Sequence, residues 1–302
     1  MLYEYALEPE LINNWKDFRY FTEKFGVSKC RLISRYPKRW KKMVYDNLYT
    51  CGEIERKRIE EKLRLIDDRF LIRQHEWDNE ENWLSNAMKE HNRRPFRAIL
   101  AKTNSNQQEF VLEGDNIDET HPLWNVCTTH IVQRNAISMA GYVAPLLRIS
   151  KEILFIDPHF GPENLRYRRP LEAFLATALE GRPGVPLMNV EVHLVDKVQS
   201  DFFKETCEKI LPQIIPTEIK VRFIRWHERE GGERFHNRYI LTERGGVSFG
   251  VGLDEGPPGA TDEINLLDID TFQYRWRQYS NAKPAFDIID ELVIEGKRKI
   301  SK

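Results

Sequence analysis

The chain of 302 residues lacks any apolar run of membrane-spanning length, so no transmembrane segment is expected. Its first residues carry acids where a signal peptide carries bases, and a cytoplasmic location is the expectation. Cysteine is scarce. Cys30, Cys51, Cys127 and Cys207 form no C-x-x-C pair, which argues against a zinc site or a disulfide framework and for reduced thiols. With a formal net charge of −1 there is no global attraction to nucleic acid or anionic membrane, so such a partner must meet a local patch. Domain-sized repeats and low-complexity tracts are absent as well. What remains is a globular composition, 41% apolar and 11% aromatic, long enough for one large domain or two ordinary ones.

Periodicity over 8–95 is helical. Leu11, Trp15, Phe18, Phe21 and Phe25 recur at three- and four-residue steps over 9–25, and Ile59, Leu63, Ile66 and Phe70 do so over 53–73. A further helix is expected over 79–90, ended by Arg94-Pro95. This defines a helical N-terminal region, 1–95. From 96 the pattern changes. Strands are expected over 96–104 and 109–114, joined by a polar turn, and an apolar helix ends near Ile149. Strands at 153–156, 190–195 and 219–224 then alternate with helices at 170–180, opened by Pro170, and after Ser200. A last helix is read over 284–296 from Phe286, Ile289, Leu292 and Val293. The loop 254–270 has six acids and no base, and reads as an exposed flap or an acidic lid. The fold class is therefore α/β over 96–302, a mixed-sheet sandwich.

The chemistry concentrates at 233–254. Strand character over 234–242 sets His236 and Arg238 two residues apart, on one face of a strand. An imidazole beside a guanidinium suits a phosphate: one group attacks or donates a proton while the other grips oxygens. Gly245-Gly246 marks a turn into a second short strand, 247–251.

His236-x-Arg238-x4-Glu243, late in an alternating α/β unit, resembles the HxKx4D signature of the phospholipase D superfamily. Gly250-Val251-Gly252-Leu253-Asp254 stands at the spacing of that family's Gly-Ser-x-x-Asn element. The resemblance covers about residues 130–254. It implies a phospholipase D-like sandwich and a metal-independent phosphodiesterase without cofactor. In it His236 would form a phosphohistidine, Arg238 would hold the non-bridging oxygens, and Glu243 would orient His236. Single-motif members complete the site by pairing two copies, so a homodimer or higher homo-oligomer is implied. Four positions depart from the family: Arg238 for lysine, Glu243 for aspartate, Val251 for serine and Asp254 for asparagine. Two readings stay open, a phosphodiesterase and a module that binds phosphate groups of nucleic acid, a phospholipid headgroup or a protein partner without turnover.

Further candidates cluster near by. Asp157 and His159 follow the first apolar strand, where α/β ligand sites gather, and Arg166, Arg168 and Arg169 come next. His159 can equally be a capped turn residue. The stretch 29–42 holds seven basic residues and no acid, with Tyr36 and Trp40 interleaved. Lys38, Arg39 and Lys41 there can contact a nucleic-acid backbone, or the stretch is a solvated face whose aromatics are core. Nucleic acid is the preferred substrate, and by analogy with single-motif nucleases a role in host defence, within a larger complex, is expected.

Overall fold

Short strands covered on both faces show no clear alternation, and three of them lie hidden in the first 95 residues. The computed structural model describes residues 1–114, 117–182, 184, 186–280 and 284–299. The chain divides into two compact units, Leu2–Cys127 and Thr128–Lys302 with Met1. In the first unit β1 (Tyr3–Leu7), β2 (Arg31–Ser34), β3 (Phe70–Leu71), β4 (Ala98–Ala101) and β5 (Val111–Glu113) form one sheet of order β3-β2-β1-β4-β5. All of its pairings are parallel. Helices α1 (Trp15–Glu23), α2 (Trp40–Asp46), α3 (Glu53–Leu65) and α4 (Trp83–Arg93) accompany it. Along β1, Tyr5 and Leu7 pack with α1, α2 and α3 through Phe18, Trp40 and Ile59, while Ala6 faces Trp83 and Ala87 of α4.

This corrects the helical region expected over 1–95. The amphipathic helices are there, but Phe70 belongs to a strand. The boundary lies after Cys127 rather than at 95/96, because β4 pairs with β1 through Tyr5↔Ala98 and cannot be parted from it. The strands expected around 96–114 form, as parallel neighbours with Ile99 opposite Val111.

The second unit runs β6 (Thr129–Gln133), α5 (Ala136–Ile149), β7 (Glu152–Ile156), α6 (Leu165–Leu179), β8 (Asn189–Val195), α7 (Ser200–Ile210) and β9 (Lys220–His227). It continues through β10 (Arg238–Thr242), β11 (Gly245–Phe249), β12 (Thr261–Leu266), α8 (Ile269–Tyr279) and β13 (Asp287–Glu295). Its eight strands take the order β13-β9-β8-β7-β10-β11-β12-β6. β7, β8 and β9 are parallel and the other pairings antiparallel. On one face Leu154, Ile156, Ile224, Trp226, Tyr239 and Leu241 pack with Phe272 and Tyr279 of α8. On the other, Phe155 stacks on Phe174 of α6, and Phe223 meets Phe203 of α7 edge-on. The α/β class with a mixed sheet therefore holds for this unit.

Three elements differ from expectation. The final helix over 284–296 is β13, an edge strand paired along β9 with a bulge between Ile288 and Asp290. Its Ile288, Ile289, Val293 and Ile294 are β-branched, and pairing with β9 outweighs the helical spacing. The flap expected over 254–270 contains β12. Helix α6 opens at Leu165 with Asn164 as its cap, placing Pro170 inside it. Proline at that position cannot donate to the carbonyl of Arg166, and the N–H of Glu255 takes the vacancy at 2.8 Å.

Candidate anion site

Strand direction brings the chemistry to one end of the second sheet. The parallel strands β7, β8 and β9 finish there, in Asp157 to His159, in Asp196 and Lys197, and in His227 and Glu228. Antiparallel pairing puts the start of β10, the end of β11, the start of β12 and the end of β6 at the same end, with Tyr239 opposite Ile156, Arg238 opposite Phe249 and Thr261 opposite Gln133. Asp157, His159, Lys197, Arg238, the loop 250–254, Asp262 and Arg134 thus gather at one rim, the place where parallel strands leave room for a ligand.

Carboxylates organise the rim by capping backbone. Asp157 is 3% exposed. It accepts the N–H of His159 at 2.8 Å and that of Leu253 at 3.0 Å. Burial pushes its carboxyl above the usual aspartate range, against the pull of those two N–H groups, and the Asp254 carboxylate adds to the rise. Asp262 accepts the N–H of Val251 at 3.0 and 3.1 Å and that of Gly252 at 3.5 Å. A cavity of about 20 Å³, room for no more than one water, lies beneath Asp157 among Phe155, Tyr167, Leu171 and Leu253. Gly252 is required by crowding: a Cβ there would lie 2.3 Å from Oδ1 of Asp254 and 3.5 Å from Oδ2 of Asp157.

Asp254 is fully committed. It pairs with Nη2 of Arg134 at 2.7 Å and with Arg166. Arg169 reaches Glu255 at 3.5 Å, while the side chain of half-buried Arg168 makes no hydrogen bond or ion pair among the described residues. The arginine cluster at 166–169 is therefore partly spent on the protein's own carboxylates.

Two further cations at the rim, Arg238 and Lys197, form no ion pair with a carboxylate among the described residues. The Arg238 side chain has no hydrogen bond or ion pair among the described residues, and its Nε is buried without a partner. Among the described residues the Lys197 ammonium donates only to Nδ1 of His159. Burial lowers the pKa of Lys197; Asp157 and Glu228 oppose this and the nearby Arg238 adds to it. His159 is held below its ordinary range, first by burial and then by Lys197.

His236 lies on the exposed segment leading into β10, two residues before Arg238; the strand expected over 234–242 begins only at Arg238. Its Nδ1 contacts the carbonyl of Arg234 at 3.0 Å. A carbonyl can only accept, so Nδ1 carries a proton, and in the neutral tautomer that this leaves the lone pair is on Nε2.

Glu243 does not orient that ring. It follows the far end of β10, where Thr242 pairs with Ile153, and accepts the N–H groups of Lys151 at 2.8 Å and Glu152 at 3.0 Å. Five residues of strand separate it from Arg238, roughly 16 Å at the usual rise. The carboxylate fastens the start of β7 instead.

In the first unit, Tyr36 and Trp40 are core residues with no exposed surface, not stacking platforms. Lys41 pairs with Asp67 at 2.6 Å and Arg39 donates to Asn79 at 3.3 Å, while the Lys38 side chain is exposed. Among the described residues no group of three or more His, Cys, Asp or Glu side chains is arranged to hold a metal ion, and no helix is long and apolar enough to cross a membrane.

No family model and no curated protein matches the sequence. Among solved structures, TrmBL2, an archaeal chromatin protein described as showing a novel mode of DNA binding, aligns at 10% identity with a TM-score of 0.26. The match spans about half of each protein, 54% of this chain and 54% of that one, and a likeness so low carries no argument.

Proposed function

We propose that the second unit is a phosphodiesterase of the phospholipase D kind that acts on nucleic acid through His236. The observation that carries this reading is the pair Lys197 and Arg238. They are two neighbouring cations at the strand ends, neither ion-paired to a carboxylate among the described residues, with His236 entering at the same rim. Like charges so placed repel until an anion arrives between them, and a phosphodiester supplies one. The Nε2 lone pair of His236 would attack phosphorus, forming a P–N bond as the P–O bond to the leaving oxygen breaks, with Arg238 and Lys197 on the non-bridging oxygens. Water would then cleave the phosphohistidine. The family resemblance would draw the leaving-group proton from the His236 of a second copy in a homodimer.

The experiment is turnover of single-stranded DNA, RNA and plasmid in excess EDTA, wild-type against His236→Ala. The expected outcome is wild-type cleavage that the variant loses by at least about 10³-fold, the scale of removing a nucleophile that acts as a unit with its partners. Equal rates for the two proteins would end the catalytic reading.

A second reading is favoured by Asp254 and Glu243, both spent on the protein's own arginines and backbone. It is a phosphate-binding module without turnover. It calls for oligonucleotide binding that weakens with salt and with Arg238→Ala, and no cleavage by wild-type.

A further inference from the structure

Lys197 closes the second parallel strand and points its ammonium at Nδ1 of His159, which lies two residues past Asp157 at the end of the first. An ammonium has three protons to give and no lone pair, so Nδ1 accepts and the neutral imidazole carries its proton on Nε2. In His236 Nδ1 donates to a carbonyl instead, so the neutral tautomer has its lone pair on Nε2. One rim thus holds one imidazole set to attack and one set to donate. The charged groups facing His159 are Lys197, Asp157, Arg238 and Asp254, and those facing Lys197 are Asp157, Arg238 and Glu228.

We propose that Lys197 and His159 form a proton relay that supplies the leaving-group acid within one chain, so that the site needs no second copy's histidine. The proposal rests on the phosphodiesterase reading. The His236 nitrogen forms its bond to phosphorus while the P–O bond to the leaving alkoxide breaks. The Nε2 proton of His159 passes to that oxygen, and an Nζ proton of Lys197 passes to Nδ1. The alcohol departs, Lys197 is left a neutral amine, and His159 remains neutral with its proton now on Nδ1. Hydrolysis reverses the path: water attacks phosphorus, the P–N bond breaks, the water's proton goes to Nε2 of His159, and Nδ1 returns a proton to Lys197.

Burial fits both groups to these roles. It makes Lys197 readier to release a proton and keeps His159 from holding two on its own. His159 is the catalytic acid in this scheme. Lys197 acts through it.

The test uses the full chain and two esters that differ in leaving group. In thymidine 5′-(p-nitrophenyl phosphate) the nitrophenolate leaves unaided, whereas a short oligothymidylate expels an alkoxide that needs a proton. His159→Ala should slow the oligothymidylate by about 10²–10⁴-fold, the usual worth of general acid catalysis, and the nitrophenyl ester by less than about tenfold. Lys197→Arg keeps the charge but does not release a proton at working pH. It should slow the oligothymidylate alone and move its pH optimum toward acid, because His159 must then bind its own second proton. Equal losses on both esters in His159→Ala, or no loss on either, would overturn the relay while leaving a His236-dependent phosphodiesterase intact. No wild-type turnover of either ester would remove the phosphodiesterase reading and the relay with it.

Discussion

His193 has no exposed surface, yet both of its ring nitrogens are occupied. The indole N–H of Trp226 donates to Nδ1 at 2.9 Å, and Nε2 donates to Glu191 at 3.0 Å, with Trp226 stacked parallel to the ring at 5.8 Å. A second proton on the ring would have to displace the Trp226 bond. Burial pushes the His193 pKa below the ordinary 6.5, against the opposing pull of Glu191. Between that depressed value and 6.5 the unfolded chain binds more protons than the folded one, so stability falls as pH drops through this window and is fully present above it. His193→Gln keeps a donor for Glu191 and an acceptor for Trp226 but does not titrate. The urea midpoint of wild-type should therefore fall more steeply on acidification than that of the variant. Parallel curves would show that His193 contributes no proton linkage.

At the scale of elements, the loop 250–254 is held by carboxylates from two directions, Asp262 from β12 and Asp157 from the end of β7. Asp262→Ala would strip the N–H groups of Val251 and Gly252 of their acceptor and should cost about 1–3 kcal/mol per group left unsatisfied, read as a lowered urea midpoint. Little change there would mean that water replaces the carboxylate. The alternation β7-α6-β8-α7-β9 is legible in the sequence because β7 holds an unbroken apolar run, Ile153 to Ile156, and β8 and β9 are rich in β-branched and aromatic residues, between amphipathic helices. In the first unit β4 and β5 are legible but β1, β2 and β3 are not, since strands as short as Phe70–Leu71 leave no pattern of their own and exist through their neighbours. The edge strand β13 misleads in the other direction: Phe286, Ile289, Leu292 and Val293 fit a helix, and only the partner β9 decides. In the site, Asp157, His159 and Arg238 are legible as polar residues at strand ends. Lys197 is a single basic residue with no motif around it, though its place after an apolar strand was the available signal. Glu243 misleads because spacing along a sequence says nothing of which end of a strand a side chain serves.

For the molecule as a whole, every residue assigned to the proposed chemistry lies within Thr128–Lys302, while the basic stretch 29–42 belongs to a unit with its own parallel sheet and core. Turnover and any electrostatic contribution of Lys38 and Arg39 to nucleic-acid binding are thus separable in principle. The question that spans the molecule is how many chains make one site. If the leaving-group proton comes from the His236 of a second copy, dilution below the dimer dissociation constant must abolish activity, and specific activity will fall with concentration. If His159 and Lys197 supply it, each chain is complete, and specific activity on the oligothymidylate stays constant on dilution even where sedimentation shows only monomer. The dilution series therefore decides between them. Activity that falls in step with the loss of dimer would assign the proton to the second copy and leave Lys197 and His159 as phosphate-binding groups alone.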